Sequence, residues 1–152
     1  MKNAMDNIVI RKMSNQDIPE VAAIERVCFS MPWSEKSFED SLALSYAHFY
    51  IAESGDRIAG YVGLYNVADE GDITNIAVLP QYRRKGIACR LISEVIRFSE
   101  ELGIRAINLE VRESNKNAIS LYTKNGFKNV GIRKNFYEKH VENAIIMVLE
   151  RD

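Results

Sequence analysis

The chain has 152 residues, of which 47% are hydrophobic and 27% are charged, and its formal net charge at pH 7 is −1. This length suits one domain with a full hydrophobic core, and the composition is ordinary for a globular protein. The near-neutral charge argues against a protein that coats nucleic acid, because such proteins need a basic surface. Cys28 and Cys89 fit no metal-ligand spacing, and we find neither a secretory signal nor a membrane-length apolar run. We therefore expect reduced thiols and a cytoplasmic protein.

Hydrophobic spacing and turn residues predict a strand, two helices and three strands in the first half of the chain. The predicted ranges are a strand at 8–10, helices near 15–28 and 35–44, and strands at 47–53, 57–65 and 71–79. Ser14 with Asp17 forms a capping-box pattern at the first helix, and Ser34 caps the second. The turn Ser54–Asp56 joins the first two long strands into a hairpin.

The clearest helix begins after Gly86 and ends near Gly103, because apolar residues recur along one face. Those residues are Ala88, Leu91, Ile92, Val95, Ile96 and Leu102. The remaining predicted elements are a strand at 106–111, a short helix capped by Ser114, and strands at 127–133 and 144–149. The order βααβββαβαββ predicts a single-domain α/β fold with a mixed central sheet and flanking helices.

The basic loop Gln81–Ala88 lies between a β-branched strand and the start of the long helix. Free backbone N–H groups and the positive end of the helix dipole make such a junction an anion site. Arg83, Arg84 and Lys85 add positive charge there. The loop therefore predicts a ligand that carries phosphate.

Two common nucleotide-binding loops do not fit this stretch. No Gly-Lys-Ser/Thr sequence is present, as the loop that binds nucleoside triphosphates requires. A dinucleotide fingerprint needs glycine at positions 88 and 91, where the chain has Ala88 and Leu91. Glu110 lies near the spacing expected for a ribose-binding acid, but the missing glycines disfavour that interpretation.

A second motif covers Leu109–Phe127, with Glu110 at a strand end, then Asn115, Tyr122 and a final Gly-Phe pair. Together with the basic loop, it resembles the GCN5-related N-acetyltransferase (GNAT) superfamily over essentially the whole chain. The resemblance is greatest to the bacterial branch that acetylates the N-terminal alanine of a small-subunit ribosomal protein. The stretches that support this branch are 24–26 with 32–38, 75–78, 133–137 and 144–147.

The resemblance implies acetyl-CoA as cosubstrate and no metal. In this family the amides of the basic loop hold the pyrophosphate, while the pantetheine arm lies along the preceding strand like an added strand. That strand usually carries a bulge that aims a backbone N–H at the thioester carbonyl, where it would stabilise developing negative charge. The residues implied to contact acetyl-CoA are Ile76, Ala77, Val78, Arg84, Lys85, Gly86, Ile87, Ala88, Cys89 and Asn115.

The resemblance also implies a catalytic pair. Glu110 matches the base that takes a proton from the amine through water, and Tyr122 matches the acid that protonates the departing sulfur. An α-amine has a pKa of about 7.7–8.0, against about 10.4 for lysine, so a modest base is enough for a protein N-terminus. Asp72, at the start of the cofactor strand, is an alternative base.

Plainer interpretations stand beside these roles. Tyr122 could be a core residue, and the charges of the loop could be a solvated surface. We expect Cys89 to be a small apolar residue rather than a nucleophile, and His48 and His140 to be structural. The residues that could line or attract a substrate peptide are Met31, Trp33, Glu25, Glu35, Glu39 and Asp40.

The expected reaction is acetylation of the N-terminus of a ribosomal protein, without direct binding to nucleic acid or membrane. A lysine or small-amine acetyltransferase is the alternative within the same class. A catalytically idle acetyl-CoA-binding module is the alternative from a different class, although such a module would have no reason to keep both Glu110 and Tyr122.

Overall fold

The computed structural model describes residues 7–138 and 141–151 of the chain. The strands are β1 (Ile8–Lys12), β2 (Ala47–Ser54), β3 (Arg57–Val67), β4 (Glu70–Val78), β5 (Ala106–Arg112), β6 (Lys128–Tyr137) and β7 (Glu142–Glu150). The helices are α1 (Ile18–Cys28), α2 (Glu35–Leu42), α3 (Ile87–Glu101) and α4 (Lys116–Lys124). These elements confirm the predicted order and the mixed α/β class.

The strands form one seven-stranded sheet in the order β1-β2-β3-β4-β5-β7-β6. Every neighbouring pair is antiparallel except β4 and β5, which run parallel and are joined through α3. β6 is an edge strand, and its register with β7 shifts twice. No helix in the described part of the chain is both long and apolar enough to cross a membrane.

Helices cover both faces of the sheet, and each face has its own hydrophobic core. α3 and α4 pack over one face, where Leu91, Val95 and Leu109 belong to the larger cluster. α1 and α2 pack over the other face around Phe38 and Tyr61, which are both fully buried. We call these the α3 face and the α1 face. Each strand contributes alternate side chains to the two faces because the pleat has a period of two residues.

The structure corrects several local predictions. Ser14 and Asp17 do form a capping box, but it begins a 3₁₀ turn, and α1 follows only at Ile18. Asn115, rather than Ser114, caps α4, because its side chain accepts the Ala118 N–H at 3.1 Å. Leu102 lies beyond the end of α3 and is 44% exposed, while Phe98 and Ser99 complete the buried stripe.

Candidate active site

The site is organised by an opening between β4 and β5. The two strands pair only over three positions, the last of which joins Asp72 to Asn108, and they diverge beyond that point. The register between β3 and β4 shifts where Gly63 pairs with Asn75 and Leu64 pairs with Ile73, which leaves Thr74 as a bulge. Past Asp72, the edge of β4 that faces β5 therefore has no strand partner within residues 7–138 and 141–151. An extended ligand could use those backbone groups.

The three β4 residues predicted to hold the pantetheine arm follow the bulge. Ile76 and Val78 contribute to the core on the α3 face, while Ala77 belongs to the core on the α1 face. Their side chains are thus committed to packing. The backbone is what they could offer to a ligand, as the predicted strand-like pairing requires.

The backbone at the start of α3 is shaped as an anion site. Gly86 is the N-cap residue with φ +78°, and Arg84 also has a positive φ of +62°. The hydrogen bonds of α3 begin at Arg90, whose N–H donates to the Gly86 carbonyl at 3.1 Å. In the described chain, nothing accepts a hydrogen bond from the N–H groups of Ile87, Ala88 and Cys89. These groups and the helix dipole point toward the same region.

The basic side chains of the loop differ in what they do. Arg83 turns back toward the protein, where its Nε donates to the Val78 carbonyl at 2.9 Å and its Nη2 contacts the Cys28 sulfur at 3.6 Å. Arg83 therefore ties the loop to β4 and α1, a structural role that the sequence did not predict. Arg84 is exposed, and the Lys85 ammonium lies 5.9 Å from the centre of the Tyr82 ring.

Glu110 lies on β5 two residues past the last paired position, with its side chain on the α1 face. Its neighbours Leu109 and Val111 point into the core on the α3 face, which fixes this orientation. The carboxylate forms an ion pair with Arg133 of β6, with Nε and Oε1 3.3 Å apart. Asp72 is exposed and shares the α1 face, as its pairing with Asn108 requires.

Tyr122 lies on α4 within the core of the α3 face, where its ring packs edge-on against Phe127 at 5.8 Å. The residue is only 5% exposed, and burial raises the pKa of its phenol well above the usual value. Every fully buried polar side-chain atom in the described chain has a hydrogen-bond partner, yet none of the described residues bonds to the Tyr122 hydroxyl. The hydroxyl oxygen therefore reaches accessible space as a protonated donor.

Tyr137, at the end of β6, lies within electrostatic reach of both residues of the predicted catalytic pair. Burial raises its pKa, the Arg112 guanidinium opposes this increase, and the Glu110 and Glu142 charges add to it. Tyr137 in turn contributes to the raised pKa of Tyr122. Glu110 and Tyr122 thus occupy opposite faces of the sheet, and both interact electrostatically with Tyr137.

The sequence did not indicate the contacts that surround Tyr137. The Arg112 guanidinium lies 4.1 Å from the centre of its ring and also pairs with Glu142. Glu142 in turn accepts the Ser114 N–H at 2.6 Å, which joins the start of β7 to the turn before α4. Only the position of β7 between β5 and β6 brings these residues together, so no local pattern could have revealed them.

Three other side chains singled out in the sequence make contacts within the protein. Asn115 uses its carbonyl oxygen as the α4 cap, and Cys89 contacts the Asn125 side chain at 3.7 Å. His48 bonds to the Asn66 side chain and packs on Phe98, away from the opening. His140 lies outside the described residues.

The two cysteines are both free, as predicted. Of the acidic residues considered for peptide attraction, Glu35, Glu39 and Asp40 are exposed, but Glu25 is buried, and that prediction is wrong for Glu25. No cluster of three metal-ligating side chains occurs among residues 7–138 and 141–151.

Known proteins resemble this chain over nearly its whole length. An alanine N-acetyltransferase of ribosomal protein bS18 from Escherichia coli K12 is 37% identical over 92% of this chain and 95% of its own length. A Bacillus subtilis relative, provisionally named for the same activity, is 40% identical over 91% of this chain and 92% of its own.

Solved structures show the same fold. The crystal structure of the E. coli ribosomal-protein-S18-alanine N-acetyltransferase has a TM-score of 0.87 at 34% identity, covering 94% of this chain and 93% of that one. Arabidopsis thaliana NAA60, crystallised with acetyl-CoA, has a TM-score of 0.85 at 22% identity, covering 94% and 98%. The sequence matches the Acetyltransferase (GNAT) family over residues 18–127, and the chain belongs to that family.

Proposed function

We propose that this protein transfers the acetyl group of acetyl-CoA to the α-amine of the N-terminal alanine of ribosomal protein bS18, in the cytoplasm. The bS18 substrate is taken from the relatives that share 37–40% identity over most of both chains. The observation that best supports acyl transfer is the opening between β4 and β5 beyond Asp72. Free N–H groups lie at the start of α3, and Glu110 lies on the rim of the opening.

The residues present fit acetyl-CoA. The N–H groups of Ile87, Ala88 and Cys89 would hold the pyrophosphate. Gly86 permits the positive φ of this turn, and the space beside its Cα is open to a ligand, since a Cβ built there meets no atom within 4 Å. Arg84 and Lys85 would add charge. Ile76, Ala77 and Val78 would pair with the pantetheine arm. Asn115 can offer its amide nitrogen, while its oxygen already accepts the Ala118 N–H at the start of α4.

Acetyl-CoA supplies the acetyl group as an activated thioester, and the chain supplies the proton transfers. Glu110 takes a proton from the α-amine, directly or through one water, as the amine nitrogen attacks. The Tyr122 hydroxyl donates a hydrogen bond and then its proton to the departing sulfur. The Tyr122 phenol is protonated at neutral pH, as an unperturbed tyrosine with a pKa of about 10 also is, and burial raises its pKa further. The bulge at Thr74 would direct a backbone N–H toward the carbonyl oxygen.

A peptide that begins with Ala-Arg and contains one internal lysine tests the proposal. We expect mass spectrometry to find a single acetyl group on the α-amine after incubation with acetyl-CoA. The matched control is the same peptide with its α-amine blocked, which should remain unmodified. Equal acetylation of the internal lysine would contradict the N-terminal specificity. Acetyl-CoA binding in calorimetry without any product would favour the idle module instead.

A further inference from the structure

A buried hydrogen-bonded chain on the α1 face has no part in the proton transfers. It begins at Glu25, which lies near the end of α1 and is only 2% exposed. One carboxylate oxygen of Glu25 accepts the backbone N–H of Trp33 at 3.0 Å, and the other accepts the hydroxyl of Tyr61. A carboxylate buried this deeply needs such donors, because its desolvation is otherwise costly.

The Trp33 contact anchors residues 29–34, the segment that connects α1 to α2. Trp33 packs against Phe38 and Phe49, with ring centres 5.3 and 6.2 Å apart. Met31, in the same segment, is 63% exposed. The segment is therefore fixed on its inner side by Glu25 and the aromatic core, and it presents an apolar side chain outward.

From Tyr61 the chain continues into β4. The Asn75 amide donates to the Tyr61 hydroxyl at 2.8 Å, and the Thr74 hydroxyl donates to the Asn75 side-chain oxygen at 2.6 Å. Tyr61 is fully buried, and burial and the Glu25 charge raise its pKa, so it stays a donor to Glu25. A continuous set of hydrogen bonds that converges on the Glu25 carboxylate thus links the bulge to the α1–α2 segment.

Asn75 and Glu110 lie on the same face of the sheet, on the two strands that border the opening. Asp72 and Asn108 are the last pair between β4 and β5, and both side chains lie on the α1 face. Ile73 and Leu109 then point to the α3 face. The bulge lets both Thr74 and Asn75 turn their side-chain oxygens to the α1 face, where they lie beside Gly63 and the Phe49 ring, on the same face as Glu110.

We propose that Glu25 is a positioning residue for the amine substrate, because through Tyr61 and Asn75 it holds the α1–α2 segment and one rim of the opening in fixed relation to Glu110. The inference rests on the proposed function and extends it to the binding of the substrate peptide. The chain lies on the face of Glu110, whereas α3 and Tyr122 belong to the opposite face. Removing the Tyr61 hydroxyl also leaves the bond between Thr74 and Asn75 in place, so the bulge keeps its own contact. Breaking the chain at Tyr61 should therefore weaken peptide binding and leave acetyl-CoA binding intact.

Two tyrosines on β3 provide a matched pair of variants. Tyr61→Phe removes the hydroxyl that joins Glu25 to Asn75. Tyr65→Phe removes a hydroxyl on the same strand and face whose partner is Ser41 of α2, 2.7 Å away and outside the chain of hydrogen bonds. Both variants lose one hydroxyl from β3, so a general effect of the substitution should appear in both.

We expect Tyr61→Phe to raise KM for the Ala-Arg peptide about 10- to 100-fold, the factor typical of a lost hydrogen bond to a charged group. The Kd of acetyl-CoA and kcat should change by less than about 2-fold, since uniform binding is what is lost. Glu25→Gln keeps an acceptor for the Trp33 N–H, so its KM for the peptide should lie between the KM values of wild type and Glu25→Ala. Tyr65→Phe should leave both constants unchanged.

Trp33 is the single tryptophan of the chain, and its fluorescence gives a readout that needs no activity. Glu25→Ala should shift the emission to longer wavelength and increase quenching by acrylamide, because the loosened segment admits water, while Tyr65→Phe should not. Equal peptide KM values for Tyr61→Phe and Tyr65→Phe, or unchanged Trp33 emission in Glu25→Ala, would overturn the inference. A wild-type protein that acetylates no peptide would instead contradict the proposed function, and the fluorescence would still decide the anchoring role.

Discussion

Gly60→Ala should destabilise the protein by opening the contact between β3 and β4. A Cβ built on Gly60 would lie 2.6 Å from the Ala77 carbonyl oxygen and 3.2 Å from the Val78 Cα. Both are backbone atoms of the strand proposed to hold the pantetheine arm, so no side-chain rotation can relieve the overlap. The two strands must separate by several tenths of an ångström.

Gly131→Ala is the matched control for this change. Gly131 is also a strand glycine, and a Cβ there meets only the end of the Ile146 side chain, at 3.7 Å, which is ordinary van der Waals contact. Both variants reduce the entropy of the unfolded chain equally, an effect worth about 0.4–1 kcal/mol in favour of folding. The difference between their free energies of unfolding therefore measures the cost of the steric overlap at Gly60, which we expect to be about 1–3 kcal/mol.

Calorimetric unfolding measures this difference directly. For a domain of this size each kcal/mol of stability shifts Tm by about 2–4 °C. If the overlap costs about 2 kcal/mol, the Tm of Gly60→Ala should therefore be roughly 4–8 °C below that of Gly131→Ala. The acetyl-CoA Kd of Gly60→Ala should also rise, because the displaced Ala77 belongs to the proposed cofactor strand. Equal Tm values for the two variants would refute the reasoning.

The remaining predictions concern the catalytic pair and the response to acid. Glu110→Gln should lower kcat by about 10²- to 10⁴-fold with acetyl-CoA binding retained, whereas Asp72→Asn should have little effect; the reverse result would assign the base to Asp72. Tyr122→Phe should lower kcat by about 10²-fold or more. Its Tm should hold, because the hydroxyl bonds to none of the described residues, and a large loss of Tm would indicate a core role. The Arg11 guanidinium lowers the pKa of Asp17 below its unfolded value of about 3.9, so this carboxylate stabilises the fold above that pH, and the contribution is lost as pH falls through the folded-state pKa. Urea unfolding should show Asp17→Asn to be less stable than wild type at pH 7, with the gap closing in acid; a constant gap would exclude this linkage.

Local patterns in the sequence were enough to predict the element order and the anion-binding start of α3. The strand of β-branched residues, Gly86 and the apolar stripe of α3 all act within a short stretch, so spacing alone reports them. Gly86 does adopt the left-handed conformation that such a turn needs. The bulge expected in β4 from the family resemblance is also present, at Thr74.

Contacts between distant elements could not be predicted in this way. Glu25 follows Val21 by one helical turn and therefore shares its buried side, yet a charged residue there is normally exposed. Its donors come from β3 and from the α1–α2 segment, which only the folded sheet brings together. Arg133 meets Glu110 across the intervening strand β7, so their pairing depends on a strand order that does not follow the sequence.

The two register shifts of β6 have a consequence for behaviour in concentrated solution. This edge strand exposes Val130 and Ile132, which are 60% and 52% accessible, and a straight edge with such side chains would be a template for pairing with other molecules. The shifts interrupt the row of free backbone groups between Asn129 and Gly131 and again between Arg133 and Tyr137. Charged residues on the same strand, Lys128 and Lys134 among them, add repulsion between copies. The irregular edge thus opposes aggregation at this border of the sheet.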